Sequence, residues 1–345
     1  MAKILITGAA GFIGSHMVEH FLKNTTDELI LIDRLSYAAN GMSRLRDIRA
    51  MENKRCSMYT LDISYPIPIG VISEIGGIDY IIHLAAESHV DRSIIDPRSF
   101  VQSNVFGTME MLQFARKLNS RLKKFVMFST DEVFGPAPEG VAYKEWDRFN
   151  PTNPYSATKA ASEDLCLAWA NSYDLPMIIL HSMNCFGERQ HPEKFIPSVV
   201  KKLLSGQLIH VHADPSRTKA GSRNYIHARN VSAAVLHIIQ NVGNESFMGK
   251  PKDKFNITGE KEVDNLTLVQ MIHRIMEKEL KKKLELNVEL VDFHSSRPGH
   301  DLRYALDGSK LAKLGWKPPT NFEESLERTI RWMIDSHHLQ WLMID

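Results

Sequence analysis

Three glycines near the N-terminus constrain the fold of this chain more than any other feature of its sequence. The apolar run at residues 3–6 leads into Gly8, Gly11 and Gly14, and a stretch with helical periodicity follows. Glycines at a strand-to-helix turn let the backbone approach a phosphate at the helix N-terminus, although they can also serve the turn alone. Asp33 ends the next predicted strand, where a carboxylate can accept both ribose hydroxyls. The pattern predicts a dinucleotide-binding site.

The identity of the dinucleotide depends on two adjacent side chains. Asp33 favours NAD, because a 2′-phosphate would meet like charge there. Arg34 keeps NADP open as an alternative, since a guanidinium can accept a phosphate. Strand-end residues at the same edge of the sheet are predicted to contact the cofactor, although ordinary packing also explains them. The further predicted cofactor contacts are Phe12, Ile13, Leu35, Ser36, Asp62, Ile63, Leu84, Ala85, Ala86 and Ser103.

Short apolar runs alternate with longer amphipathic stretches, which is typical of an α/β fold built on a parallel sheet. Strands are predicted near residues 3–6, 28–33, 58–62, 80–86, 124–129 and 177–182. Helices are predicted at residues 12–21, 101–117, 157–172 and 266–279. We expect a doubly wound, Rossmann-type domain over residues 1–187 and a smaller C-terminal α/β lobe over residues 188–345. A strand within residues 225–260 is expected to return to the first domain.

Composition excludes several classes of function. The 345 residues are 43% hydrophobic, which suffices for a large core, and 42 basic against 41 acidic residues leave a net charge of +1. Such a balance gives no field that would attract nucleic acid or an anionic membrane. Cys56, Cys166 and Cys185 lack metal-ligand spacing and fit a reducing compartment. With no signal-peptide pattern and no apolar run of about 20 residues, we expect a cytoplasmic protein without a metal site.

Tyr155 and Lys159 form the first candidate catalytic pair. They are four residues apart at the start of a predicted helix, so their side chains share one face. A lysine ammonium, helped by a positively charged nicotinamide, is expected to lower the pKa of the tyrosine. The phenolate could then take a proton from a substrate hydroxyl as hydride leaves the same carbon. A tyrosine and a lysine at this spacing often occur by coincidence. The glycine loop upstream is what makes this pair indicate a catalytic site.

A run of polar residues, Ser129-Thr130-Asp131-Glu132, follows the fifth predicted strand. Two carboxyls there could act as an acid and a base, or they could be a loop pair or a helix cap. Neighbouring residues on an extended strand point in opposite directions, so joint action requires a turn at the strand end.

Together these features resemble the extended short-chain dehydrogenase/reductase superfamily. The segments that carry a closer resemblance, to the dTDP-glucose 4,6-dehydratase family, are residues 33–38, 85–93, 129–135, 192–197 and 297–301. The resemblance implies an NAD-dependent lyase of deoxysugar biosynthesis that acts on a nucleotide-diphosphate hexose of the dTDP- or UDP-glucose type. Oxidation at C4, elimination of water across C5 and C6, and hydride return to C6 would give a 4-keto-6-deoxy sugar.

The resemblance also assigns roles. It makes Glu132 the base and Asp131 the acid, with Thr130 bonded to the C4 oxygen. It implies a homodimer formed through residues 101–117 and 157–172. The remaining residues implied to bind substrate are Ser88, Asn184, Lys194, Phe195, Arg223, Asn265, Arg297 and His300.

Two alternatives remain open. An epimerase or decarboxylase on the same scaffold needs the Tyr155-Lys159 pair but not the two carboxyls, and a non-catalytic NAD-sensing protein needs neither. The chain also departs from the dehydratase pattern at residues 210–222, which are longer and less glycine-rich, and at Cys185, where asparagine is more usual.

Overall fold

The computed structural model describes residues 1–118, 121–243, 252–292 and 302–343. The strands are β1 Lys3–Thr7, β2 Glu28–Asp33, β3 Cys56–Thr60, β4 Tyr80–His83, β5 Lys124–Thr130, β6 Met177–Ser182, β7 Asn184–Phe186, β8 Ile209–Ala213, β9 Ser222–His227, β10 Lys252–Ile257, β11 Glu262–Asp264 and β12 Val288–Asp292. The α-helices are α1 Phe12–Asn24, α2 Ser43–Asp47, α3 Ile69–Ile75, α4 Val90–Ile95, α5 Pro97–Phe100, α6 Gly107–Leu118, α7 Pro154–Tyr173, α8 Phe195–Ser205, α9 Ala228–Asn241, α10 Asn265–Leu280, α11 Ser309–Lys313 and α12 Phe322–Ile334. Short 3-10 turns include Tyr37–Ala39 and Asp131–Phe134, and a π-helical turn spans Val101–Phe106.

A seven-stranded sheet in the order β10-β6-β5-β4-β1-β2-β3 forms the centre of the molecule. Every neighbouring pair in it is parallel. One face packs against a core that includes Phe21 and Val235 from α1 and α9, and the other against Met111 and Cys166 from α6 and α7. The strand order reverses between β1 and β4, where such sheets open a crevice for ligands. The predicted doubly wound α/β fold is confirmed.

Two predicted strands were displaced or too long. β3 occupies Cys56–Thr60 rather than residues 58–62, and Asp62 lies in a turn, where it accepts a hydrogen bond from the Ser64 backbone N–H. β4 ends at His83 instead of continuing to residue 86. Its extension fails because the Ala85 N–H donates to the Thr7 hydroxyl rather than to a neighbouring strand. Residues 84–86 therefore form part of the ligand crevice.

Beyond β6, the chain builds a smaller layer and then returns. A three-stranded sheet β11-β9-β7 and a two-stranded sheet β12-β8 pack with α8, α10 and α12 around a third apolar cluster. Between these elements, α9 packs on α1, and β10 pairs with β6 in the main sheet. The chain thus crosses between the two parts more than once. The division at residue 187 stays a prediction.

The turn between β1 and α1 is packed too tightly for a side chain at Gly14. A Cβ there would lie 2.0 Å from the carbonyl oxygen of Gly8, whereas a Cβ at Gly70 in α3 would meet no atom within 4 Å. We expect Gly14→Ala to lower the free energy of unfolding by at least about 1–3 kcal/mol, because backbone must move. Gly70→Ala is the control and should be neutral or stabilising by about 0.5–1 kcal/mol. Urea unfolding measures both, and equal midpoints would contradict the packing argument.

Candidate active site

A cavity of about 370 Å³ opens at the carboxyl ends of the parallel strands. It brings together most of the residues predicted from the sequence. The predicted residues on its wall are Gly8, Gly11, Phe12, Ile13, Gly14, Asp33, Arg34, Ser36, Asp62, Ile63, Leu84, Ala85, Ala86, Ser88, Ser103, Thr130, Glu132, Tyr155, Lys159, Asn184, Lys194 and Phe195. Both halves of the predicted chemistry, the dinucleotide loop and the Tyr-Lys pair, therefore face one space.

The end of the cavity beside the glycine loop suits the adenosine half of a dinucleotide. Gly11 is the N-cap of α1 and has no side chain that could cap the helix. The first N–H groups of the helix therefore lie at the cavity edge without a side-chain acceptor. Asp33 accepts hydrogen bonds from the backbone N–H of Ala10 at 3.0 Å and of Leu35 at 2.8 Å. Burial raises the pKa of Asp33, and those two hydrogen bonds oppose the rise. A carboxylate held this way can receive hydroxyl groups.

Arg34 is engaged by carboxylates of the protein itself. Its guanidinium donates to Glu87 and lies 3.5 Å from the carboxylate of Asp62. The positive charge that could have received a 2′-phosphate is thus already paired. This arrangement weakens the NADP alternative.

Helix α7 presents Tyr155 and Lys159 to the cavity. Asn153 caps the helix in a reciprocal arrangement with Ser156, and Pro154 occupies the first helical position. The Lys159 ammonium donates to the carbonyl of Phe128 at 2.7 Å, and burial lowers its pKa to about 8 while Glu163 opposes the shift. The pair is therefore anchored between α7 and β5.

The protein's own residues shift the pKa of Tyr155 in the direction opposite to the prediction. Burial raises that pKa, the carboxyls of Glu132 and Asp131 raise it further, and a hydrogen bond with Thr130 lowers it. Lys159 is not among the main influences on this pKa, and its ammonium donates a hydrogen bond to the Phe128 carbonyl. The positively charged nicotinamide, which the prediction also invoked, is the remaining source of phenolate stabilisation.

The turn required by the two carboxyls is present. β5 ends at Thr130, whose hydroxyl accepts a hydrogen bond from the Glu132 N–H at 3.4 Å and donates to Asp131 at 3.1 Å. Glu132 lines the cavity and accepts a hydrogen bond from the Asn153 side chain at 3.2 Å. Asp131 lies behind this wall, 4% exposed, and its Oδ2 forms no hydrogen bond with any described residue. Burial, with Glu132 adding to it, raises the pKa of Asp131 to about 7.

Among the residues that the structure describes, four of those predicted for the site do not line the cavity. Asp131 is one of them, as described above. The Leu35 side chain packs against the apolar core. Arg223 donates to the carbonyls of Ser222 and Leu302 and lies over the Tyr304 ring. Asn265 accepts a hydrogen bond from the Tyr225 hydroxyl at 2.7 Å. None of these four side chains lies on the cavity wall, so their predicted contacts with ligand stay predictions.

Other predictions concern the second lobe. Lys194 and Phe195 lie on the cavity wall at the start of α8. The predicted phosphate ligand Arg297 and the predicted substrate contact His300 lie outside the described residues. The unusual segment 210–222 forms parts of β8 and β9 with a turn between them. Among the described residues, no group of three or more His, Cys, Asp and Glu side chains could hold a metal ion.

Sequence reasoning missed a buried charge network behind Lys159. Glu163, two helical turns after Tyr155, accepts hydrogen bonds from Ser129, from His181 at 3.0 Å and from Lys254 at 3.0 Å. Although burial raises its pKa, His181, Lys254 and Ser129 bring it down to about 2. The repeat of polar residues at every fourth position of α7 was the available signal. The network joins α7 to β5, β6 and β10.

Asn104 was also missed. Its side chain accepts from the Glu87 N–H at 2.8 Å and donates to the Glu87 carbonyl and to Thr158. It thereby ties the crevice segment after β4 to helix α7. Asn104 lies in the π-helical turn, a local geometry that periodicity in the sequence does not reveal.

Protonation of Asp131 should couple stability to pH. Its pKa rises from an ordinary value of 3.8 to about 7 on folding, so the folded state binds more protons between these values. The free energy of unfolding should therefore fall by a few kcal/mol as the pH rises from about 4 to about 7. Asp131→Asn should flatten this slope and stabilise the protein at pH 8, as measured by urea unfolding across that range. The exposed Glu139→Gln is the control, and an unchanged slope in Asp131→Asn would contradict the assignment.

Comparison with known proteins identifies the family. A family model described as GDP-mannose 4,6 dehydratase matches residues 5–329. A dTDP-glucose 4,6-dehydratase of Escherichia coli is 36% identical, with 97% of this chain and 94% of that protein aligned. The enzyme of the same name from Haemophilus influenzae is 37% identical, with 97% and 98% aligned.

Solved structures agree with these matches. A dTDP-glucose 4,6-dehydratase from Streptomyces venezuelae, crystallised with NAD, superposes with a TM-score of 0.82 at 32% identity and covers 98% of both chains. A UDP-glucuronic acid 4-epimerase from Bacillus cereus reaches 0.80 at 25% identity, with 99% of both chains covered. The second match shows how closely epimerases share this scaffold.

The strand order, the glycine loop and the Tyr155-Lys159 pair define a member of the extended short-chain dehydrogenase/reductase superfamily. Within that superfamily, the chain belongs to the family of nucleotide-sugar 4,6-dehydratases, as the resemblance predicted.

Proposed function

We propose that the protein is an NAD-dependent lyase that converts a nucleotide-diphosphate hexose, of the dTDP- or UDP-glucose type, to its 4-keto-6-deoxy form. One observation carries the proposal. Glu132 shares the cavity wall with Tyr155, and directly beside it Asp131 has a pKa of about 7, so that a base and an acid adjoin the oxidising pair. Enzymes of this family in other organisms are named for this reaction.

NAD fits the cavity on grounds of geometry and charge. Asp33 would hold the adenosine ribose, and the uncapped start of α1 would face the diphosphate. The Arg34 guanidinium is paired with Glu87, so its charge is already engaged within the protein rather than offered to a 2′-phosphate. Bound NAD would supply the chemistry that oxidises C4 and later reduces C6.

Tyr155 and Thr130 would act on the C4 oxygen. The Tyr155 phenolate would take the proton of the C4 hydroxyl as hydride leaves C4, and the Thr130 hydroxyl would position that oxygen. Lys159 keeps its ammonium beside the strand end through the Phe128 carbonyl, where it adds positive charge to the site. The Glu163 network behind it helps to keep Lys159 charged, since Glu163 opposes the effect of burial.

Elimination then requires two proton transfers. The C4 ketone acidifies the C5 proton, which the Glu132 carboxylate removes, and the C6 hydroxyl leaves as water when Asp131 protonates it. The raised pKa of Asp131 keeps a proton available near neutral pH. Because Asp131 lies behind the wall, the turn that begins at Thr130 would have to move for its Oδ2 to reach the substrate; this oxygen forms no hydrogen bond with a described residue. The Asn153 side chain orients Glu132.

Replacing Glu132 separates oxidation from elimination. Glu132→Gln should reduce formation of the dehydrated product by at least about 100-fold, because the C5 proton loses its acceptor, while C4 oxidation continues. Mass spectrometry of the sugar nucleotide detects the product lighter by one water, and single-turnover absorbance detects reduced cofactor. Glu139→Gln, on an exposed loop, is the control. A variant that forms product at the parent rate would show that Glu132 is not the base.

The same mass measurement tests the competing reactions. An epimerase, which the Bacillus cereus neighbour represents, gives an isomer of equal mass, and a decarboxylase acting on a uronic acid loses carbon dioxide. Isomer as the sole product from a panel of nucleotide hexoses would overturn the dehydratase proposal. Binding of NAD without turnover of any nucleotide sugar would favour a sensing role instead.

We also propose a homodimer formed through residues 101–117 and 157–172. Large apolar side chains are exposed in or beside these segments, among them Val101, Phe106 and Tyr173. Phe106→Glu should produce monomers at micromolar concentration in analytical ultracentrifugation, because burying a charge in an apolar interface is unfavourable. Tyr65→Glu, at an exposed aromatic residue outside these segments, should leave the mass unchanged. A monomeric parent protein would contradict the proposal.

Among the described helices, none has the length and apolar character that crossing a bilayer requires. A cytoplasmic location and a place in deoxysugar biosynthesis stay predictions.

A further inference from the structure

Arg44 is a buried arginine on the cavity wall that the sequence did not single out. It lies in the short helix α2, its exposed fraction is 0%, and its side chain lines the same cavity as the glycine loop. Charged side chains are seldom fully buried unless a partner compensates them. The partners of Arg44 are therefore informative.

Backbone carbonyls hold the guanidinium in place. Its Nε donates to the carbonyl of Arg189 at 2.8 Å, and its Nη1 donates to the carbonyls of Ala38 at 2.6 Å and Ala10 at 3.4 Å. Ala10 belongs to the glycine loop and directly precedes the N-cap of α1. The guanidinium is thus fixed between the glycine loop and the segment that follows β2.

These carbonyls and the Trp341 ring, whose centroid lies 5.7 Å from the guanidinium carbon, give Arg44 no anionic partner. No carboxylate among the described residues forms an ion pair with it, and its Nη2 makes no hydrogen bond with any of them. The neighbouring Arg189 is different, because it pairs with Glu19 at 2.7 Å and Asp47 at 2.8 Å. Burial and the positive charge of Arg189 together lower the pKa of Arg44 to about 10, against a smaller opposing effect of Asp33. A buried cation without an anion is unfavourable.

Two more polar atoms on this part of the wall lack partners. Gln190 Oε1 and His191 Nε2 are buried without hydrogen bonds to any described residue, and both side chains line the cavity. His191 is close enough to Arg44 that, after burial, the guanidinium is among the charges that lower its pKa. Three unpartnered polar groups around one space indicate a site for a polar ligand. Of the three, the cationic Arg44 is the group that favours an anion.

We propose that Arg44 binds the diphosphate group of the dinucleotide, an inference that rests on the use of NAD proposed above. Asp33 serves the ribose end of the site, and the backbone N–H groups of Ala10 and Leu35 bind its carboxylate. The Nη1 of Arg44 reaches the carbonyl of Ala10, the residue that precedes the N-cap of α1, and Nη2 of the same guanidinium forms no hydrogen bond with a described residue. Guanidinium groups suit phosphate oxygens because two parallel donors match them. Arg44 and the start of α1 would neutralise the diphosphate together.

Binding of cofactor fragments to the protein freed of cofactor tests the proposal. Isothermal titration calorimetry compares ADP-ribose, which carries the diphosphate, with adenosine, which does not. Arg44→Met should weaken ADP-ribose binding at least about 10-fold, the loss of one charge-assisted contact, and leave adenosine binding within about twofold. Arg34→Met is the matched control, because it removes another arginine of the cavity, at the ribose end. It should not weaken ADP-ribose binding more than adenosine binding.

A loss of equal size for both ligands, or no loss for either, would overturn the assignment. If Arg44→Met unfolds, Arg44→Lys is the variant that tests the proposal, because lysine keeps the positive charge but lacks the two parallel donors of a guanidinium. It should bind ADP-ribose with weakened affinity and adenosine normally, and parent-like binding of both would reject the proposal. The reaction proposed above fails separately: a parent protein that binds ADP-ribose but forms no dehydrated sugar refutes the dehydratase alone. A parent protein that does not bind ADP-ribose refutes both the use of NAD and the role of Arg44.

Discussion

The close approach of backbone segments at the first strand-to-helix turn is the constraint on which the site depends. A Cβ on Gly8 would lie 2.8 Å from the Ala85 nitrogen, and one on Gly14 would overlap the Gly8 carbonyl. β4 ends at His83, and residues 84–86, which pass against Gly8, form part of the wall of the crevice. The same turn leaves the start of α1 without a side-chain cap, facing the space where a dinucleotide would lie.

Two buried carboxyls near that crevice, Asp131 and Glu163, have pKa values shifted in opposite directions because their neighbouring groups differ. Asp131 has a neighbouring carboxyl and one hydroxyl donor, so its pKa rises to about 7. Glu163 is equally buried, but a histidine, a lysine and a hydroxyl donate to it, and its pKa falls to about 2. A proton donor and a permanent negative charge thus arise from the same type of side chain. The first suits elimination, and the second supports the charge of Lys159.

The structure also separates positioning from chemistry. Asn104 joins the segment after β4 to α7, and Asn153 joins the start of α7 to Glu132. Neither residue supplies a proton in the proposed mechanism, yet both connect elements that carry the reacting groups. Arg44 is held by carbonyls in a similar way, with one side of its guanidinium left for a ligand. Rigid support of this kind keeps reacting groups aligned.

Local patterns allowed much of this protein to be predicted from its sequence. The alternation of strands and helices, the glycine loop, Asp33 at a strand end and Tyr155 one helical turn before Lys159 all depend on residues close together in the chain. Tertiary structure alone decided the rest. Glu163 meets Lys254 from a distant strand, Arg223 turns to the Leu302 carbonyl instead of the cavity, and Arg44 is buried without a carboxylate. Periodicity and capping record which face a segment buries, but the partner of a buried charge is set by which distant segments pack against it.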